Sequence, residues 1–185
     1  MRLFVAVNPG DSVRQQIWRV SSALRDAAFP IRWVDPAGMH VTVKFLGEVD
    51  AAREPDIVAG LEAACGDATA FDLSIGGFSA FPNADRPRVV WVGCERARAL
   101  AELQHEIEIE MHRLGFPPDG RTFRPHFTIG RVRRGAGRCV GLGDCLRDLH
   151  LAESVAVHAV DLMESTLARS GARYTRRHAT SLGAA

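Results

Sequence analysis

The sequence lacks the features that mark disulfide scaffolds, zinc ribbons and membrane proteins. Its four cysteines contain no C-x-x-C pair: Cys65, Cys94, Cys139 and Cys145. No apolar run approaches the ~20 residues of a membrane-spanning helix, and the apolar start at residues 1–7 is too short for a signal peptide. We therefore expect a cytoplasmic protein with reduced thiols, no bound metal, no cofactor and no membrane association.

Excess charge of either sign is also missing. The formal net charge is +1, and Lys44 is the only lysine among 23 basic residues. A protein of this charge is no polycation, so any contact with nucleic acid must come from a local patch. Such a patch is present, because six arginines and no acidic residue fall between Arg121 and Arg138. A solvated loop after a strand is the alternative interpretation of its later part.

Hydrophobic periodicity and turn residues predict an α+β chain of 185 residues. Helices are expected at about 11–27, 53–65, 96–114 and 139–149. Strands are expected at about 2–7, 31–34, 40–46, 71–78, 88–92, 126–132, 155–163 and 174–180, the last two joined through Ser170-Gly171. No linker divides the chain, so we expect one domain spanning 1–185. Its two halves look alike, and each carries one H-x-T strand.

The two H-x-T segments are His40-Val41-Thr42 and His126-Phe127-Thr128. Side chains alternate along a strand, so each histidine shares a face with its threonine while the apolar residue between them points to the core. Two such faces set opposite each other provide an acid, a base and two hydroxyl donors for a phosphodiester. Histidine suits both proton transfers because its ordinary pKa is near neutrality.

A single H-x-T segment is weak evidence, since a histidine on a strand face is more often structural. A third copy, His178-Ala179-Thr180, lies near the C-terminus without the apolar flank of the other two. We interpret it as coincidence. The functional interpretation depends on the first two copies together, half a chain apart and each backed by apolar residues.

These segments resemble the 2H phosphoesterases, and in particular the bacterial and archaeal RNA 2',3'-cyclic phosphodiesterases, once called 2'-5' RNA ligases. The resemblance extends over nearly the whole chain. Its segments are Arg2-Leu3-Phe4-Val5-Ala6-Val7, Trp33-Val34, His40 to Gly47, Phe78 to Pro82, Val89 to Val92, Pro125 to Arg131, and Leu162 to Tyr174. It implies a two-lobed, pseudo-symmetric fold in which antiparallel sheets line a central cleft and helices lie outside.

The resemblance also implies hydrolysis of RNA 2',3'-cyclic phosphate ends to 2'-phosphomonoesters. In such enzymes the first histidine is taken as the proton donor and the second as the acceptor, which gives His40 and His126 those roles. Thr42 and Thr128 would bind phosphate oxygens. Arg131 would contact the phosphate, although strict alternation points it away from Thr128 unless Gly130 permits a bulge. We expect a monomer acting on RNA ends, with no obligate protein partner.

Four further side chains are weaker candidates for contacting the substrate. Lys44 shares the His40 face if β alternation is strict, which makes it a second candidate for phosphate binding. Phe45, Phe123 and Tyr174 could stack a terminal base. Core packing is the more common role for each of these three rings.

Other functions remain open at this point. Family members can join tRNA half-molecules through a 2'-5' linkage, and the substrate could be another cyclic or 2'-5'-linked nucleotide. A 2H-like domain could also bind RNA ends without turnover, although a pure binder has no need of two proton-transfer groups. The remaining alternative is a metallohydrolase that binds its metal through histidine and cysteine ligands.

Overall fold

The computed structural model describes residues 1–95, 97–168 and 171–184. The helices within these ranges are α1 (Asp11–Val20), α2 (Ser22–Asp26), α3 (Glu54–Cys65), α4 (Arg98–Arg113) and α5 (Leu142–Arg147). The strands are β1 (Arg2–Val7), β2 (Ile31–Trp33), β3 (Val41–Glu48), β4 (Phe71–Phe81), β5 (Val89–Glu95), β6 (His126–Val132), β7 (Glu153–Val157), β8 (Ala159–Ala168) and β9 (Gly171–Ser181). This is the α+β composition expected from the sequence.

Two predicted elements differ from the structure. The helix expected at 11–27 is divided at Ser21, whose hydroxyl donates to the carbonyl of Ile17 at 2.8 Å and so competes with helical backbone bonding. The strand expected at 155–163 is two strands that separate at His158, because β7 pairs with β4 while β8 pairs with β1 and β9. Ser170, predicted in the β8–β9 connection, lies outside the described residues.

The described strands form one antiparallel sheet in the order β7-β4-β5-β6-β3-β1-β8-β9, with β2 paired to β6. The two H-x-T strands, β3 and β6, are therefore neighbours near the middle of the sheet. Beyond β6 the sheet continues with β5, β4 and β7, and beyond β3 it continues with β1, β8 and β9. The description of the chain as one domain of two repeated lobes stays a prediction.

The hydrophobic core lies on one face of the central strands. Alternation along β1 sends Leu3, Val5 and Val7 into the main core, while Phe4 and Ala6 pack on the opposite face. Helix α4 contacts β3 from the core side, and α3 packs on α4. The helices thus cover one face of β3 and leave the other for a site.

Candidate functional site

The candidate site is built on the pairing of β3 with β6, where Val41 lies opposite Phe127. Both residues are fully buried. Alternation then directs the flanking residues to the other face, where they are half-buried: His40, Thr42, His126 and Thr128. The antiparallel direction places each histidine across from the threonine of the other strand. The structure thus brings all four predicted residues together, and we call them the candidate site.

Each site strand contains a β-bulge at the same step after its histidine. On β3 the register shifts past Val43, and on β6 it shifts past Ile129. A bulge inserts one residue, so the alternation of side chains changes phase beyond it. The fifth residue after each histidine therefore returns to the site face; these residues are Phe45 and Arg131.

The bulge on β3 corrects the sequence interpretation of Lys44, which strict alternation places on the His40 face. Its side chain is fully buried on the core side, where Nζ donates to Oε2 of Glu108 at 2.7 Å and to the carbonyl of Pro117 at 3.0 Å. Phe45 takes the place expected for Lys44, with 59% of its surface exposed. Lys44 therefore stabilises the underside of β3 and is directed away from the site.

The bulge on β6 turns Arg131 toward the histidines. Arg131 pairs with Val89, which shares the site face of β5 with Trp91. Burial is the main cause of the lowered pKa of His40 and of His126, and the positive charge of Arg131 lowers both further, which places it near both rings. The bulge that the sequence analysis allowed at Gly130 is present at this step, between Thr128 and Gly130, and Gly130 itself does not adopt a positive φ. It is glycine because β2 packs closely against it.

We expect Gly130→Ala to disturb the packing of β2 against β6 beside the candidate site and so to destabilise the protein. An added Cβ would lie 2.6 Å from Ile31 and 2.9 Å from Trp33, both in β2. Overpacking of this kind costs about 1–3 kcal/mol. Urea denaturation should show this loss in the free energy of unfolding. The KM for a 2',3'-cyclic phosphate should rise, because the neighbouring Arg131 would shift. Gly120→Ala is the control, because a Cβ there meets nothing within 4 Å; equal stability of the two variants would contradict this role for Gly130.

Both site histidines are held by the same local hydrogen bond. Nδ1 of His40 lies 2.9 Å from the carbonyl of Gly38, and Nδ1 of His126 lies 2.6 Å from the carbonyl of Arg124. A carbonyl oxygen can only accept, so Nδ1 donates in each ring. The neutral ring then carries its lone pair on Nε2, the nitrogen left for substrate.

Aromatic rings pack against each histidine in a matching way. His40 lies 4.9 Å from Phe4 and 4.8 Å from Tyr174, between ring centroids. His126 lies 5.2 Å from Phe81 and 5.8 Å from Trp91. Of these four rings, the sequence singles out only Tyr174. The other three rings were not predicted to lie at the site. An aromatic residue in a strand gives no sequence signal that distinguishes a core position from a site position.

Burial changes the acidity of both rings. It lowers the pKa of His40 to about 4, and the nearby Arg14 and Arg131 charges act in the same direction. Burial also lowers the pKa of His126 below its usual value. The bond from each Nδ1 to its carbonyl opposes these shifts. A bound phosphate would raise both pKa values by supplying negative charge.

Arg14 is a site neighbour that the sequence reasoning missed. Its Nε donates to the carbonyl of Met39 at 3.0 Å, and a terminal nitrogen donates to Asn8 at 3.1 Å. Asn8 in turn donates to the buried carboxylate of Asp161 at 2.6 Å. These bonds hold a second guanidinium beside His40. The turn that follows β1 is recognisable from its residues, but the pairing of β1 with β8 that brings Asp161 to it cannot be read from sequence.

The third H-x-T segment lies apart from the candidate site. His178 and Thr180 are in β9, where Nε2 of His178 is 3.8 Å from Glu62 of α3. This agrees with its interpretation as coincidence. Phe123, a candidate for base stacking, is instead partly buried against the main core.

The model of the 2'-5' RNA ligase superfamily matches residues 9–166 of the chain. The chain belongs to this superfamily. The resemblance inferred from the motif strands is thereby confirmed. Among curated relatives of this superfamily member, the RNA 2',3'-cyclic phosphodiesterase of Methanothermobacter thermautotrophicus is 32% identical over 95% of both chains. That of Archaeoglobus fulgidus is 36% identical, covering 72% of this chain and 74% of its own.

Solved structures of similar proteins confirm the fold of this superfamily member. The TT0787 protein of Thermus thermophilus aligns over 100% of this chain and 99% of its own, with a TM-score of 0.85 and 25% identity. E. coli LigT complexed with 3'-AMP aligns over 98% of this chain and 97% of its own, with a TM-score of 0.77 and 27% identity. The expected α+β fold class is therefore confirmed.

The described residues hold neither a metal-binding cluster nor a helix suited to a membrane. Within 1–95, 97–168 and 171–184, no group of three or more His, Cys, Asp or Glu is placed to hold a metal ion. Across the same ranges, no helix has both the length and the apolar character to cross a membrane. The donors gathered at the candidate site are thus two imidazoles, two hydroxyls and guanidinium groups.

Proposed function

We propose that the chain hydrolyses RNA 2',3'-cyclic phosphate ends to 2'-phosphomonoesters, with His40 and His126 as the proton-transferring pair. The observation that carries this is the matched setting of the two rings. Both lie on one face of adjacent strands, both donate from Nδ1 to a carbonyl, and both leave Nε2 for substrate. The names of the curated relatives support the same substrate class.

In the proposed reaction a water oxygen attacks phosphorus as the bond from phosphorus to the 3' oxygen breaks. One imidazole takes the proton from the water, and the other gives a proton to the departing 3' oxygen. Following the resemblance, His126 is the base and His40 the acid. Thr42, Thr128 and Arg131 would bind the non-bridging oxygens, where negative charge grows in the transition state. All the required proton transfers come from side chains, so we propose a metal-independent mechanism.

A 2'-5' ligase activity is the second candidate, favoured by the superfamily that matches the chain. Ligation is the same displacement with an RNA 5' hydroxyl in place of water as the attacking group. The acid and base would each keep its function. Both activities therefore need the same two histidines.

The decisive assay uses an oligonucleotide that ends in a 2',3'-cyclic phosphate, incubated with the protein in excess EDTA. We expect conversion to a 2'-phosphate end at an undiminished rate. A 3'-phosphate product would contradict the assigned leaving group. Loss of turnover in EDTA, restored by added metal, would favour the metallohydrolase alternative.

The lowered pKa values of the two histidines predict an acidic optimum. One ring must be neutral and the other protonated, so kcat/KM is greatest between the two pKa values of the free enzyme. Burial places the pKa of His40 at about 4 and that of His126 below 6.5. Activity should therefore fall as pH rises through the higher of the two pKa values, because the last imidazole proton is lost, and fall again below the lower one, because no neutral imidazole is left to act as base.

Comparing kcat/KM with kcat tests this origin of the optimum. The kcat profile should lie at higher pH, since bound phosphate raises both pKa values in the complex. A kcat/KM profile that is level from about pH 4 to about pH 8 would contradict a two-histidine mechanism. The cytoplasmic location and monomeric state inferred from the sequence stay predictions.

A further inference from the structure

A groove lined with arginines continues from the candidate site. We define it by Arg86, Arg88, Arg131, Arg133, Arg134 and Arg138, which surround a cavity of about 1020 Å³ with Pro87 and residues 135–137. Its lining contains no acidic residue. Among the described residues only Arg138 of the six is seen in an ion pair, with Asp85 at 2.7 Å. Most of the positive charge is therefore left for a ligand.

Arg131 belongs to both the groove and the candidate site. Its charge acts on His40 and His126, and its side chain also lines the cavity. The two regions are therefore continuous along β6. Arg133 lies seven residues beyond His126, about 23 Å along an extended chain. A ligand that occupies both ends of this path must be long and must carry several negative charges.

The backbone of the groove is held in place by hydrogen bonds across its two walls. The amide of Val132 donates to the carbonyl of Arg88 at 3.0 Å, and that of Cys139 donates to Asp85 at 2.9 Å. The amide of Arg133 donates to Pro30 at 2.9 Å, which fixes the wall to the start of β2. The arginines thus extend from a pre-formed frame, which lowers the entropy cost of binding a flexible chain.

We infer that this groove binds the phosphodiester backbone of the nucleotides that precede the terminal cyclic phosphate. The inference rests on the proposed function, which places the RNA end between His40 and His126. Guanidinium groups bind phosphate oxygens bidentately without reading the bases. The groove therefore makes the enzyme prefer an RNA strand to a mononucleotide, with little dependence on sequence.

The test compares two substrates with one double variant. The substrates are adenosine 2',3'-cyclic phosphate and an RNA of about eight nucleotides with the same end. Arg133→Ala with Arg134→Ala should lower kcat/KM for the RNA by about tenfold or more, through KM, and leave the mononucleotide unchanged. For the RNA substrate, the slope of log(kcat/KM) against log[salt] should also become less steep in this variant. The expected change is about 0.7 for each phosphate that the variant no longer neutralises.

The matched control is Arg19→Ala with Arg98→Ala, which removes the same charge from exposed positions on α1 and α4. It should leave both substrates unaffected. The inference is overturned if the groove variant loses both activities equally, if it keeps full activity on RNA, or if the control gives the same loss.

A binding measurement separates this inference from the proposed function. Fluorescence anisotropy of a labelled RNA that ends in a 2'-phosphate needs no turnover. If the wild type binds this RNA and the groove variant binds at least about tenfold more weakly, the groove is supported even if hydrolysis fails. Equal affinity of the two proteins would overturn the groove whatever the enzymatic result.

Discussion

Replacing either His40 or His126 with alanine is expected to lower kcat/KM for a 2',3'-cyclic phosphate by about 10²–10⁴-fold. In the proposed mechanism each ring performs a different proton transfer, and neither ring can perform both in one turnover. Loss of both rings should cost little more than loss of one, because groups that act together are not additive. Steady-state kinetics on the mononucleotide substrate measures these losses without any contribution from longer RNA contacts.

The controls separate catalysis from folding. His178→Ala removes the histidine of the third H-x-T segment, which contacts Glu62 and lies away from the candidate site, so activity should be retained. Asparagine at position 40 or 126 can keep a side-chain N–H for the carbonyl that Nδ1 contacts, but it cannot transfer protons at this pH. Both asparagine variants should stay folded and inactive. Near-normal turnover in either would remove that histidine from the mechanism.

Replacing Glu108 with alanine is expected to destabilise the fold by about 3–5 kcal/mol, because the ammonium of Lys44 would then be buried without its partner. The side chain of Lys44 is 0% exposed and that of Glu108 only 15% exposed. The carbonyl of Pro117 would be the one contact left among those described for Nζ. Urea denaturation measures the change in the free energy of unfolding.

Two comparisons test this account of Lys44. Glu102→Ala removes an exposed ion pair with Arg98 on the same helix, and such pairs contribute only about 0.2–1 kcal/mol. Replacing Lys44 by methionine together with Glu108 by glutamine removes both charges and should restore most of the stability. KM should be unchanged in the double variant. A large rise in KM would instead support the phosphate contact that strand alternation suggested for Lys44.

The fold was predictable where local signals are strong and uninterrupted. The strand at 126–132 and the helix at α4 follow from clear periodicity, and the sequence marks their ends with Pro125 and Gly115. The division of 155–163 into β7 and β8 was not predictable. Its cause is a change of pairing partner at His158, and long-range pairing leaves no periodic signal in the strand itself.

The candidate site shows the same limit. The shared face of His40 with Thr42 follows from alternation alone, and so does that of His126 with Thr128. The direction of Lys44 and Arg131 depends on the bulges that follow Val43 and Ile129, which are visible only in the register of neighbouring strands. Arg14 is held near His40 by its bonds to Met39 and Asn8, and Asn8 is in turn bonded to Asp161, 153 residues along the chain. Sequence therefore identified the candidate histidines and threonines, and tertiary structure determined what surrounds them.

The most direct test of the two-histidine mechanism replaces the departing 3' oxygen of the cyclic phosphate with sulfur. A thiolate leaves without being protonated, since a thiol has a pKa of only about 8.5. Turnover of this substrate by the two alanine variants should therefore differ: the variant that lacks the acid regains activity, and the variant that lacks the base does not. We expect rescue of His40→Ala alone. Rescue of both variants, or of neither while both remain folded, would contradict the division of acid and base between His40 and His126.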